Sequence, residues 1–306
     1  MQSQDKELLS IVADMHSVPR GAYNIRKNGK VLSRDTTANI DITTKLDKPG
    51  IIVRVKDNTQ NESVHIPVII TETDIHDEVY NDIYVGQNCD IVIVAGCGVH
   101  NNGTQSSQHN GKHRIEVGNN SRVRYIEKHL GTGTGSGQKI LNPATSVVLG
   151  ENATLIMETV QLGGVDSSMR STEAYVGNNS KLDINERILT DYTQTAETHF
   201  VVNLNGENSV SKVSSRSVAK GKSRQEFFSV MTGNNACFGH VECDAIIMDQ
   251  ATVQSVPEIS ANNSNAILTH EAVVGKIAGE QITKLMTMGL TQQEAEKLIL
   301  DGFLSK

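Results

Sequence analysis

Tryptophan is absent from this chain of 306 residues, and there are only six Tyr and five Phe. A compact globular core of that size uses more aromatic residues, whereas a core of thin, stacked aliphatic rows does not need them. No apolar run reaches the ~18 residues of a membrane span. The N-terminal stretch MQSQDKELLSIVADMHS lacks the basic start and unbroken apolar core of a signal peptide. The reading is a cytoplasmic protein with no membrane role. Positive charge is outnumbered, with 28 Lys and Arg against 35 Asp and Glu. A net charge of −7 argues against nucleic acid as a partner, because phosphate binding needs a basic footprint. None of the four cysteines (Cys89, Cys97, Cys237 and Cys243) forms a C-x-x-C pair, which excludes a zinc knuckle or a thioredoxin-like motif. In a cytosolic chain each reads as a small buried hydrophobe. GTGTGSGQKI (131–140) misses the Walker pattern, since Gly137 is followed by Gln138 and Lys139 by Ile140. It reads as a flexible loop. HEAVV (270–274) opens like a zincin motif but carries Val274 where the second His belongs.

What is present is a repeat. VGNNS occurs at 117–121 and again at 176–180. Related Gly-x-Asn-(small) phrases begin at Gly86, Gly118, Gly150, Gly177, Gly206 and Gly233, at spacings of 32, 32, 27, 29 and 27 residues; a degenerate copy follows at Ala261. Gly and Asn both tolerate the left-handed backbone region, so the phrase reads as a tight turn. Alternating runs follow each turn, as in KLDINERI, where Leu182 and Ile184 alternate with Lys181, Asp183 and Asn185. Such alternation marks short, half-buried strands. A turn recurring in phase with strands predicts stacked coils, a parallel β-solenoid over 21–275, in preference to a sandwich of hairpins. Matched Asn and Ser residues are then expected to form ladders.

Helical periodicity is confined to the ends. Leu8, Leu9, Val12 and Met15 make one stripe of a short helix within 1–20, closed by Val18-Pro19. Ile282, Leu285 and Met286 share a face that ends at Gly289. Thr291 and Glu294 then form a capping box ahead of a stripe of Ala295, Leu298 and Ile299. Periodicity leaves two roles open for this pair in 276–306: capping the solenoid or docking a partner.

Two side-chain clusters carry ligand chemistry. In CFGHVECD an extended strand puts His240, Glu242 and Asp244 on one face, and Cys237 and Cys243 on the other. Cys97 and His100 form the second.

HEAVVGKIAGEQITKLMTMGLTQQEAEKLILDGFL (270–304) resembles the C-terminal signature of the SufB/SufD family. SRSVAKGKSRQEFF (215–228), ECDAIIMD (242–249) and VPEIS (256–260) fit it as well. GAYNIRKNG and AGCGVHN (95–101) are similar to short SufB-like members. The resemblance implies an all-β fold: a right-handed parallel β-helix core with a C-terminal helical region. It also implies a scaffold, not an enzyme, that carries a transient iron–sulfur cluster (4Fe–4S or 2Fe–2S) for recipient apo-proteins. The implied partners are a SufC-type ABC ATPase docked on the C-terminal helices, through Ile282, Leu285, Met286, Leu298, Ile299 and Phe303, and a second copy meeting the end of the β-helix. His270 and Glu271 match the family's His-Glu beside the nascent cluster; Cys243, Glu242 and Glu258 stand behind them, with Asp244, His240, Cys97 and His100 further back. Where longer members carry an essential cysteine this chain has Ala251. Either Cys243 substitutes for it, or Glu and His hold the cluster. A β-helix enzyme acting on polysaccharides is the alternative, disfavoured by the missing Trp and by the lack of a clear carboxylate pair. A metal-free subunit of the ATPase complex is a further one.

Overall fold

The computed structural model describes residues 3–17, 19 and 21–305; Val18, part of the expected helix stop, lies outside them. Two sheets run the length of the molecule and face each other. One has 12 strands and ends on Cys237–Ile247 and Ile267–Gly275. The other has 10 strands and ends on Arg224–Gly233 and Thr252–Ala261. Pairing is parallel except at the N-terminal end, where Lys30–Asp35 and Ile40–Thr44 fold back antiparallel. The chain alternates between the sheets, giving a parallel β-solenoid of about 8 turns.

The Gly-x-Asn phrase is one corner of each coil, leading from the second sheet to the first. Asn88, Asn120, Asn152, Asn179 and Asn208 all have φ between 52° and 58°, a region L-residues other than Asn and Asp seldom enter. The column extends one coil earlier than the sequence pattern showed, to Asn58 (φ 64°). The expected ladders are present: Asn88 Nδ2 donates to Asn58 Oδ1 (3.2 Å), and Asn262 Nδ2 to Asn234 Oδ1 (2.8 Å). Ser121 Oγ and Ser180 Oγ accept the amides of Cys89 and Ala153 one coil below (2.9 Å each). A second corner returns the chain to the second sheet through Tyr192, Gly221 and Asp249, all with positive φ.

Inward residues form continuous columns. Val123, Leu155 and Leu182 stack in one, and Tyr125, Met157 and Ile184 in the next. These aliphatic rows make the main core, which explains the aromatic scarcity. The loop 133–138 differs from the expectation of flexibility. It lies on loop 101–106, with Gly135 N donating to Asn101 O and Gly137 N to Gly103 O. A Cβ at Gly137 would stand 2.0 Å from Gln105 O, so close backbone stacking requires the glycine.

Helix α1 (Ser3–Ala13) lies on the outer face of the first sheet. Leu8, Leu9, Val12 and Met15 pack on Ile25, Ile69 and Val94. Lys27 Nζ pairs with Asp5 (2.7 Å) and Lys128 Nζ with Asp14 (2.7 Å). Helices α2 (Gly279–Thr287) and α3 (Gln292–Ser305) form a hairpin. Thr291 and Glu294 make the expected capping box, with Glu294 Oε2 accepting from Thr291 N at 2.8 Å. The capping role is not what the hairpin does. α3 lies along the flank of the first sheet, against Leu189, Lys220 and Met248, and leaves the C-terminal end of the solenoid open. No helix among the described residues is long and apolar enough to cross a membrane.

Candidate functional site

The open end is built by the last strand of each sheet, each pairing on one side only. One inward column that is apolar in the coils below changes character here. The column Ile93, Tyr125, Met157, Ile184, Val213, Val241 terminates in His270. An imidazole thus replaces an apolar side chain, and it is exposed because no further coil covers it. Cys243 faces the same interior one rung lower, paired with Ala272. It is buried; desolvation pushes its thiol up to about 11, with Ser255 across the interior pulling slightly the other way.

Alternation sends the intervening residues outward. Glu271 pairs with Glu242 on the outer face of the first sheet, flanked by Asp244 and His240. His270 and Glu271, adjacent in sequence, therefore stand on opposite faces of one strand. Glu242 is held by Lys212 Nζ (3.0 Å), Ser214 Oγ (3.1 Å) and Arg216 Nη2 (3.2 Å). Burial raises its pKa, but Lys212, Ser214 and Arg216 outweigh burial and keep it below the ordinary value. Asp244 moves the other way, raised by desolvation and by the neighbouring charges of Glu242 and Glu271. His240 Nδ1 lies 2.8 Å from Thr269 Oγ1.

The remaining candidates do not join this group within one chain. Glu258 is exposed on the outer face of the other sheet, paired with Val230. Cys97 is five rungs below Ala245 in the column Cys97, His129, Gln161, Ile188, Ser217, Ala245, about 24 Å at the usual strand spacing. Burial and the charges of Glu127 and Asp77 raise its pKa well above normal, and His100 is engaged with Thr132 Oγ1 at 2.9 Å. Ala251 sits at a corner between strands and is buried. Among the described residues no three His, Cys, Asp or Glu converge to hold a metal ion.

Around the end lies apolar surface that periodicity did not single out. Ile267 is 60% exposed and Val273 56%, with Phe238, Val256, Ile259 and Val274 also open. In lower coils the equivalent edges are paired. On the hairpin, Ile282, Leu285, Ile299 and Phe303 are half-buried, whereas Met286 and Leu298 face solvent.

A second feature escaped sequence reading: a buried ionic set in the middle of the solenoid. Arg170 Nη1 donates to Glu127 Oε2 (2.7 Å), and Arg170 Nε lies 3.6 Å from Glu186 Oε1. His129 Nε2 is 3.0 Å from Glu127 Oε1, and Thr198 and Ser215 donate to Glu186. Burial raises Glu127, but Arg170 and His129 outweigh it and hold it low, while burial leaves Glu186 raised. The signal was available, since Glu127 follows Val123 and Tyr125 in the same inward phase.

Fold and end together define a class: a β-solenoid whose last coil presents imidazole and carboxylate chemistry within an uncovered apolar rim, with a buried thiol one rung below and a helical hairpin on its flank. Comparison with known proteins gives the family. The sequence profile described as "SUF system FeS cluster assembly, SufBD core domain" matches residues 73–303, and the chain belongs to that family. It is similar to an iron–sulfur cluster assembly SufBD family protein of Pyrococcus horikoshii, 25% identical over 297 residues, covering 96% of this chain and 84% of the relative. A SufBD family protein of Methanothermobacter thermautotrophicus is 27% identical over 229 residues, 74% of this chain and 55% of its own length. The iron–sulfur cluster assembly protein SufB of Bacillus subtilis is 32% identical over 101 residues, 32% of this chain and 22% of its own. The chain thus spans little more than half the length of some curated relatives it matches. The family is described by its part in iron–sulfur cluster assembly.

Proposed function

We propose that this chain is a scaffold on which an iron–sulfur cluster is assembled as cargo between two copies joined at their open ends. The observation that carries the reading is the end itself. Both sheets finish there on strands with one unpaired edge, ringed by Ile267, Val273, Val256 and Ile259. Edges of this kind either pair or are blunted, and a second copy satisfies both the edge and the apolar rim. His270 points into the joint from the last rung, and the Cys243 thiol faces the same interior one rung lower, beneath Ala272. Neutral imidazole and thiolate are iron ligands, and among the described residues of one chain no three ligands converge. A facing copy doubles the set and brings Glu271 and Glu258 of both copies to the rim. Because Cys243 is protonated and covered, the scaffold must open its end before the thiol can lose its proton and ligate iron.

The α2–α3 hairpin is the docking surface for a SufC-type ABC ATPase in this reading, with Met286, Met288 and Leu298 as exposed anchors. Nucleotide-driven movement of the ATPase would bias the joint between a closed and an open arrangement. The experiment is anaerobic reconstitution with iron and sulfide, followed by absorption spectroscopy. Wild type is compared with Glu271→Ala and Cys243→Ser, and the purification is repeated with the ATPase co-expressed. Lower cluster yield in the variants, with folding intact by circular dichroism, is the expected result. Equal yield in all three would remove both residues from the site.

A further inference from the structure

The flank that carries α3 has an unusual feature. Outward residues of the first sheet repeat an apolar side chain at one position in successive coils: Leu189 pairs with Val218, and Val218 with Ile246. One coil earlier, Gln161 pairs with Ile188, so Leu162 continues the column toward the N-terminus. The result is an apolar track parallel to the long axis. α3 lies along it and buries Val218 completely. Leu162, the next step of the track, is 40% exposed and uncovered.

The fit of α3 to its seat is loose. A cavity of about 510 Å³ remains between the helix and the sheet, lined by Leu189 and Met248 below and by Leu300 and Leu304 above. Ala295 is the one fully buried α3 residue among those described, and α2 has none. The tether at the C-terminal end of α3 is a long hydrogen bond from Arg187 Nη1 to Leu304 O (3.3 Å). The hairpin joins the solenoid through residues 276–278, which have no regular structure, between Gly275 and Gly279, both in open space.

Spacing decides what this looseness permits. Coils are about 4.8 Å apart, and one turn of helix advances about 5.4 Å. A shift of α3 by one coil toward the N-terminus therefore replaces each leucine contact along the apolar track with an equivalent one. Leu304 moves from Leu189 to Leu162, and Leu300, one turn earlier, takes over Leu189. Asp301 arrives at the level of Arg187, so an ion pair replaces the lost hydrogen bond. We propose that α3 has two seats on this track, one coil apart, and slides between them, a one-turn ratchet of one element past another. The linker spans the step, because three extended residues reach about 10 Å. The slide requires neither cluster nor partner, so it stands or falls separately from the assembly reading.

Introduced cysteine pairs in the full chain test it, since the four native thiols are buried. Leu189→Cys with Leu304→Cys reports the first seat, and Leu162→Cys with Leu304→Cys the second. Ser171→Cys with Leu304→Cys, across to the outer face of the other sheet, reports unrestrained wandering. Under mild oxidation the second pair is expected to cross-link within about tenfold of the first, as two seats populated within an order of magnitude require. The third pair is expected to be at least about a hundredfold slower. Adding Asp301→Ala should slow the second pair and leave the first unchanged. A second pair as slow as the third would overturn the proposal, as would equal rates for all three or failure of the first pair to link.

Discussion

Replacing Arg170 by Met tests the energetics of the solenoid interior most directly. The guanidinium sits between Glu127 and Glu186, and both carboxylates have side chains about 1% accessible. Methionine fills much of the volume but removes the guanidinium that bonds Glu127. Leaving a buried charge unpaired costs roughly 3–5 kcal/mol. The entropy of unfolding is roughly 2.1 cal/mol/K per residue, so for 306 residues each kcal/mol corresponds to about 1.6 °C. The expected fall is therefore about 5–8 °C at pH 7, read by circular dichroism because the chain has no Trp. Acid should narrow the gap from both sides. In wild type the folded pKa of Glu127 is depressed; its contribution is present above the unfolded value of about 4.3 and declines as pH falls below it. In the variant, burial without Arg170 raises the folded pKa of Glu127 and leaves Glu186 raised further. Both groups then gain stability on protonation as pH falls toward 5. Converting all three residues, Glu127→Gln, Arg170→Met and Glu186→Gln, should recover most of the loss, since no charge is stranded. A deficit under about 1 kcal/mol at pH 7, or one that widens toward pH 5, would refute the account.

The corner and the thiol make further predictions. Asn120→Ala should cost about 1–2 kcal/mol in thermal unfolding, because its φ of 58° lies in the left-handed region. Asn120→Gly should cost less, and an Ala variant as stable as the Gly one would contradict the turn assignment. Cys243, with its pKa pushed up to about 11, should react with iodoacetamide at pH 8 at least about 200-fold more slowly than an ordinary thiol in the folded protein. Reaction at the rate of free thiols would show that the last coils open readily.

The sequence alone determined whatever repeats or alternates. Gly-x-Asn marks a corner because few residues tolerate positive φ, and runs such as KLDINERI allow a single assignment of faces. That logic reached the solenoid, the ladders, the inward Cys243 and the outward Glu242. It missed the Tyr192, Gly221, Asp249 corner, where three different residue types meet one backbone demand. Only the tertiary structure decided which residues meet across coils and across sheets. Arg170 reaches Glu127 because the two sheets face each other, and His270 and Glu271 separate because a strand alternates. The α3 hairpin lies on the flank instead of the end because an apolar column there continues from coil to coil. These contacts join residues tens of positions apart, and local spacing carries no record of them.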